Sequence, residues 1–296
     1  MPGAKMKVLI ERNRMNRLAI CLLIAGPVLC AEHSKTFSFE VFDQVNVRKN
    51  PTTQIAIRIA EWPGQRFLLW LPEEVAGLWR QWDPPVAHQE FTKTERGGLR
   101  WEFTGNPKAV ITAELVPRAQ SLLLEVRVRN RTDAALEQVS VQNCLPLSEA
   151  PDFVCTDFSR LYLRTGKHWR SIAELGVTDS LPMFYRPGFL ESGRLDSWRG
   201  NFKSQNQTQR ADHPLMVVLS KHHTRAFGTV SEDYQCLFHN QGLPYLLCAH
   251  SQQAPVERLA PGAEAVFRQM VYFIDGGVKE VVRAYERDVK AGVMKR

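Results

Sequence analysis

No apolar run in this chain approaches the roughly 18–20 residues that a bilayer-spanning helix needs. Cysteine is sparse, 6 in 296 residues, which excludes a small disulfide-built scaffold. Nucleotide-cradling glycine loops, a His-Glu-x-x-His helix and a Gly-x-Ser-x-Gly elbow are all missing. Their absence removes the sequence signatures of nucleotide enzymes, zinc proteases and serine hydrolases. Helical periodicity is scarce as well. What remains is ordinary globular composition, 44% hydrophobic and 23% charged, without low-complexity tracts.

The formal charge of +7 suggests a nucleic-acid partner until its position is read. Lys5, Lys7, Arg12, Arg14 and Arg17 against Glu11 place more than half of it in residues 1–30. Those residues continue into Leu18–Cys30 (LAICLLIAGPVLC), an uncharged apolar run followed by Ala31. Basic start, short apolar centre and small residues at the end form the three-part pattern of a secretory signal. The expectation is a signal peptide over 1–30 and a single domain over 31–296, exported to the periplasm or the exterior. Removal of the signal leaves no stable membrane anchor and a mildly basic chain with no reason to bind nucleic acid.

Export makes disulfides possible among Cys144, Cys155, Cys236 and Cys248. A five-residue hairpin loop at 240–244 would set Cys236 opposite Cys248, within bridging distance. Free buried thiols are the alternative.

Beyond residue 30 the dominant period is two. Leu124, Val126 and Val128 alternate with Glu125, Arg127 and Arg129, and Ala109, Ile111, Ala113 and Leu115 show the same spacing. Turn signals such as Pro63-Gly64, Gly97-Gly98 and Pro261-Gly262 separate such runs. About 12 to 16 short strands are expected, in an all-β antiparallel sandwich of the supersandwich type. One short C-terminal helix is expected from the stripe Val278, Val281, Val282, Tyr285 and Val289. A second short helix is expected over 168–175, and an aperiodic surface excursion over 178–211.

The segment Leu122–Leu147 (LLLEVRVRNRTDAALEQVSVQNCLPL) resembles the central hairpin of the galactose mutarotase-like supersandwich. There, a strand ends in Asn-x-Thr-Asp and the next delivers Asn-His-x-Tyr-Phe. The resemblance implies that fold and a carbohydrate ligand. At the position it assigns to the family's catalytic His, this chain has Asn143, and an amide is no general acid at neutral pH. The parity of Val139, Val141 and Asn143 puts that amide on the apolar face, as a core residue or a pocket residue.

The remaining chemistry clusters late in the chain. His213, His239 and His250, with Glu232 and Asp233, are candidate acid–base groups. Asn143, Trp169, Trp198, Arg199 and Asn240 are candidate ligand contacts, since pyranose faces pack on aromatic rings. Trp198-Arg199 would suit a saccharide bearing acidic groups. Cys236-x-x-His239 with Cys248-x-His250 has metal-ligand composition, but strand parity sends Cys236 and His239 to opposite faces. No metal and no cofactor is expected. The sequence therefore points to an exported carbohydrate-recognising protein, non-catalytic or a degenerate mutarotase-like one. A carbohydrate-active lyase, hydrolase or epimerase and a structural envelope protein without a small ligand are the alternatives.

Overall fold

A computed structural model describes residues 34–45, 51–80, 89–177, 181–189, 191, 209–240 and 247–295. The expected signal peptide and the pair Trp198 and Arg199 lie outside the described residues.

The first strands in chain order are β1 (Phe37–Val45), β2 (Pro51–Ile59), β3 (Arg66–Val75), β4 (Trp79–Arg80), β5 (Thr92–Lys93) and β6 (Leu99–Phe103). Next come β7 (Ala109–Pro117), β8 (Ser121–Asn130), β9 (Leu136–Val139), β10 (Val141–Pro146), β11 (Leu161–Thr165) and β12 (His168–Ser171). The remainder are β13 (Met183–Tyr185), β14 (Leu215–Leu219), β15 (Arg225–Ser231), β16 (Tyr234–Asn240), β17 (Cys248–Gln253), β18 (Val256–Leu259) and β19 (Glu264–Asp275). Helix α1 (Val278–Lys290) follows.

Two large sheets share one core. The eight-stranded sheet runs β1-β2-β3-β10-β17-β16-β13, with β4 attached to β3. The nine-stranded sheet runs β12-β11-β14-β15-β19-β8-β7-β6-β5. All strand pairs in both are antiparallel. The alternation read from the sequence is the alternation of burial. Ala109, Ile111, Ala113 and Leu115 on β7 are fully buried, and Leu124, Val126 and Val128 on β8 lie beside them. They face Ile55, Phe67 and Leu69 of the opposite sheet in one continuous cluster.

The hairpin motif proves structural. Asn130 Nδ2 contacts the carbonyls of Ala134, Leu259 and Ala260 at 2.8, 3.0 and 3.1 Å. Its Oδ1 accepts from the Thr132 amide and hydroxyl, both at 2.9 Å. One buried amide thus closes the turn after β8 and ties it to the end of β18, as an Asx residue in a turn does.

The C-terminal helix lies on the outer side of the nine-stranded sheet, burying Val281, Ala284 and Tyr285 against Leu215, Val217, Met270 and Tyr272. Glu280 Oε2 accepts from the Gly277 amide at 2.9 Å and so caps the first turn.

Three expectations are corrected. The helix expected over 168–175 is strand β12 followed by a 3-10 turn at Ala173–Leu175. Gly166, at φ 61°, closes a tight turn that returns Trp169 and Arg170 into the ladder with β11. The excursion 178–211 contains strand β13, paired with β16. The described residues form 19 strands rather than 12 to 16, and the surplus is short. Elements of two to four residues, such as β4, β5 and β13, are too brief to show a period.

Gly228 on β15 allows the close approach of α1, because a Cβ there would stand 2.5 Å from Val281 Cγ1. Gly228→Ala is expected to lower stability by about 1–3 kcal/mol through overpacking. Val281→Ala in the same chain should restore part of the loss, measured as the midpoint of thermal unfolding.

Candidate functional site

The expected acid–base residues are not gathered. His213 sits under α1, with its ring 5.3 Å from those of both Trp169 and Tyr285, and its Nδ1 accepts from the Leu215 amide at 3.3 Å. Trp169 belongs to the same cluster on the outer side of the nine-stranded sheet. Glu232 accepts from the Lys295 amide at 2.9 Å and faces Arg268 at 3.8 Å. Asp233 occupies the turn before β16 at φ 50° and pairs with Arg186 at 3.0 Å. His239 points into the core, edge-on to Phe158. His250 lies on the outward side of the eight-stranded sheet, stacked on Phe238 at 4.1 Å. These five residues therefore make no common catalytic centre.

Asn143 is a core amide. Its Nδ2 donates to Gln269 Oε1 at 2.9 Å, and Gln269 Nε2 donates to Thr229 Oγ1 at 2.7 Å. This buried polar chain joins β10 to β19 and β15 across the sandwich. The assignment of Asn143 as a ligand contact is corrected accordingly. One residue on, Cys144 takes the outward face.

The disulfide expectation is corrected too. Asn240 pairs with Cys248, and Cys236 pairs with Gln252. The ladder resumes only after residues 241–247, seven positions instead of the five assumed, so Cys236 lies four residues from the level of Cys248. The thiol beside Cys248 is that of Cys144, at 2.6 Å.

The outward side of β3, β10, β17 and β16 gathers the polar chemistry. Cys248, His250 and Gln252 occupy alternate positions on β17, with Asn240 beside Cys248. Glu73 joins them from β3. Between the pairs Gln142–Glu74 and Cys144–Trp70, β3 contains two residues more than β10. This bulge re-aims Glu73, which shares the parity of the inward Val75. Its Oε2 accepts from Gln142 Nε2 at 2.7 Å and lies 3.9 Å from His250 Nδ1. Sequence alternation missed Glu73 because it ends the strand at Leu71. The signal present was a pair of acids, Glu73-Glu74, directly after an apolar run.

Burial controls the ionisation of this cluster. It pushes the Glu73 carboxyl up to about 8, against the lowering bond from Gln142. It depresses the His250 imidazole to about 3, although the Asn143 carbonyl bond works the other way. The thiols of Cys144 and Cys248 are raised for the same reason. Near neutral pH the cluster is uncharged. Gln142 is only half-buried and is its link to solvent.

A second polar feature is an open groove of about 330 Å³ on the outer face of β6, β7, β8 and β19. Arg127 there bridges Glu125 and Glu264, and Arg268 pairs with Glu125 at 2.7 Å. Arg100 also pairs with Glu102, so most of the groove's charges are matched along a solvated ladder, which contributes little net attraction for a ligand.

His239 yields a prediction. Desolvation holds its imidazole at about 3, below the ordinary 6.5, so the unfolded chain binds a proton there that the folded chain does not. Its contribution to stability is present above pH 6.5 and is lost as pH falls toward 3. His239→Gln should make the acid limb of the stability profile shallower by one proton, about 1.4 kcal/mol per pH unit. Urea unfolding between pH 4 and pH 7 on the two chains measures this.

No protein-family model matches the chain, and no curated protein matches it in sequence. Solved structures do resemble it. The Slr1438 protein of Synechocystis sp. PCC 6803 superposes with a TM-score of 0.50 at 10% identity, over 81% of this chain and 93% of that one. A galactose mutarotase related enzyme from Lactobacillus acidophilus gives 0.48 at 9% identity, over 81% and 99%. A galactose mutarotase-like protein from Clostridium acetobutylicum gives 0.44 at 9% identity, over 82% and 99%. Several of the structural neighbours are described as galactose mutarotase-like or aldose 1-epimerase proteins, and the likeness to the Slr1438 protein is one of fold alone.

Proposed function

We propose that this chain is an exported carbohydrate-recognising supersandwich, non-catalytic, whose saccharide site is the outward face around Glu73, Gln142 and Gln252. One observation carries the reading. On that face Gln252 donates through Nε2 to the Val141 carbonyl, while its buried Oε1 has no donor among the described residues. An unfilled buried acceptor costs about 1–3 kcal/mol, and a sugar hydroxyl that enters past the half-buried Gln142 would supply the missing donor. The surrounding groups are amides and a carboxyl that holds its proton, which is recognition chemistry for neutral hydroxyls. The fold is compatible with this reading, and the leader-like residues 1–30 support export.

The dispersal of the expected acid–base groups and the core position of Asn143 support the non-catalytic reading. A saccharide bearing acidic groups would draw on Arg199, outside the described residues. The polar groups named here favour a neutral one.

Saturation-transfer NMR with neutral mono- and disaccharides at millimolar concentration tests the proposal. Binding is expected, about tenfold weaker in Glu73→Gln and Gln252→Ala, equivalent to about 1.4 kcal/mol. Arg127→Ala in the groove of the other sheet should leave it unchanged. Retention of no saccharide, or loss of binding only in Arg127→Ala, overturns the site. Polarimetry should show sugar anomers equilibrating at the uncatalysed rate. An acceleration abolished by Glu73→Gln would overturn the non-catalytic assignment.

A further inference from the structure

We infer that Cys144, Cys248 and His250 form a binding site for a thiophilic divalent cation of the zinc class. The site goes beyond the saccharide reading and requires none of it. Leu145 pairs with Ala249 and Pro146 with Cys248, so the next step of the ladder sets Cys144 opposite His250. Cys248 stands two residues along β17 from His250, on the same face. Two adjacent strands thereby present three soft or borderline ligands from one side. Their ligand atoms all lie within 4.8 Å of one another.

Metal–sulfur bonds of about 2.3 Å and metal–nitrogen bonds of about 2.0 Å place tetrahedral ligands roughly 3.3–3.8 Å apart. The thiols, 2.6 Å apart, would separate by about 1 Å to admit the ion. His250 Nδ1 lies 3.2 Å from the Asn143 carbonyl oxygen, so the tautomer with its proton on Nδ1 donates to that carbonyl and leaves Nε2 as the lone-pair nitrogen for a metal. A ligating histidine is usually held in this way through its other nitrogen.

Charge favours the same ligand set. None of the three residues exposes more than 3% of its surface, so single thiolates are strongly disfavoured there. Two thiolates, one dication and a neutral imidazole sum to zero, and the two thiol protons leave to solvent as the ion enters. A direct disulfide is the competing state, because the two sulfurs stand 2.6 Å apart, closer than two thiols in van der Waals contact. Only the reduced pair can release protons to a metal, so the redox state decides between them. The combination set aside on sequence, with Cys236 and His239, failed on parity, and the missing third ligand comes from β10.

The experiment is equilibrium dialysis of the reduced, folded chain against Zn²⁺, with elemental analysis and with Co²⁺ as spectroscopic probe. One ion per chain and a thiolate-to-cobalt charge-transfer band are expected. Cys144→Ser, Cys248→Ser and His250→Ala should each weaken binding at least tenfold, while Cys236→Ser and Cys155→Ser retain it. Should the ligand variants fail to fold, the unmodified chain still decides the matter. Both thiols are buried without the ion, so alkylation is followed in moderate denaturant, where bound zinc must slow modification of Cys144 and Cys248 and chelation must restore it. Less than stoichiometric zinc in the folded chain, alkylation unaffected by zinc, or a Cys144–Cys248 disulfide that persists in its presence would each overturn the inference.

Discussion

Five aromatic rings hold the two sheets together at one end of the core. Phe67 of β3 stacks on Phe227 of β15 at 5.7 Å and meets Phe273 of β19 edge-on at 5.0 Å. Trp62 and Phe153 complete the group, Trp62 at 5.5 Å from Phe153 and 6.0 Å from Phe273. Such contacts contribute about 0.5–1.5 kcal/mol each beyond burial. Their geometry also fixes how one sheet lies over the other. Trp62 Nε1 donates to Asp275 Oδ1 at 2.8 Å, and Lys35 pairs with the same carboxylate. The polar rim of the cluster is therefore satisfied as well as its apolar centre.

With the sheets fixed in this way, each strand has two distinct sides with different chemistry. The inward side of β10 carries Asn143, locked to Gln269, and its outward side carries Gln142 and Cys144. Neighbouring residues thus divide between holding the sandwich together and facing a possible ligand. A rigid sheet also sets the spacing of outward groups to within the pleat, so Cys144, His250 and Glu73 converge without help from a long loop.

Much of the architecture was legible because it rests on local periodicity. The alternation on β7 and β8, the stripe of α1 and the turn at Asn130 all follow from residues near one another in sequence. Asn143 illustrates a correct parity with an incomplete consequence. The alternation put it with Val139 and Val141, and the structure shows that this side faces the core. The outward cluster was less legible for two physical reasons. The bulge in β3 reverses the side of Glu73, and a bulge leaves no periodic trace. Cys144 and Cys248 are 104 positions apart, and only the strand order of the finished sheet makes them neighbours. The Cys236–Cys248 register failed because a loop length was assumed where seven residues intervene.

The nine-stranded sheet ends on two modest strands. At one side β5 is just Thr92 and Lys93, both exposed, and at the other β12 shows His168 and Arg170 to solvent. A sheet edge offers unpaired amides and carbonyls to any passing strand, and a short or cationic edge makes a poor template for it. The apolar interior that binds the sheets so firmly would be hazardous if strands could be added at its borders. Short, polar end strands of this kind disfavour intermolecular β-stacking at the borders of a wide, strongly apolar sandwich.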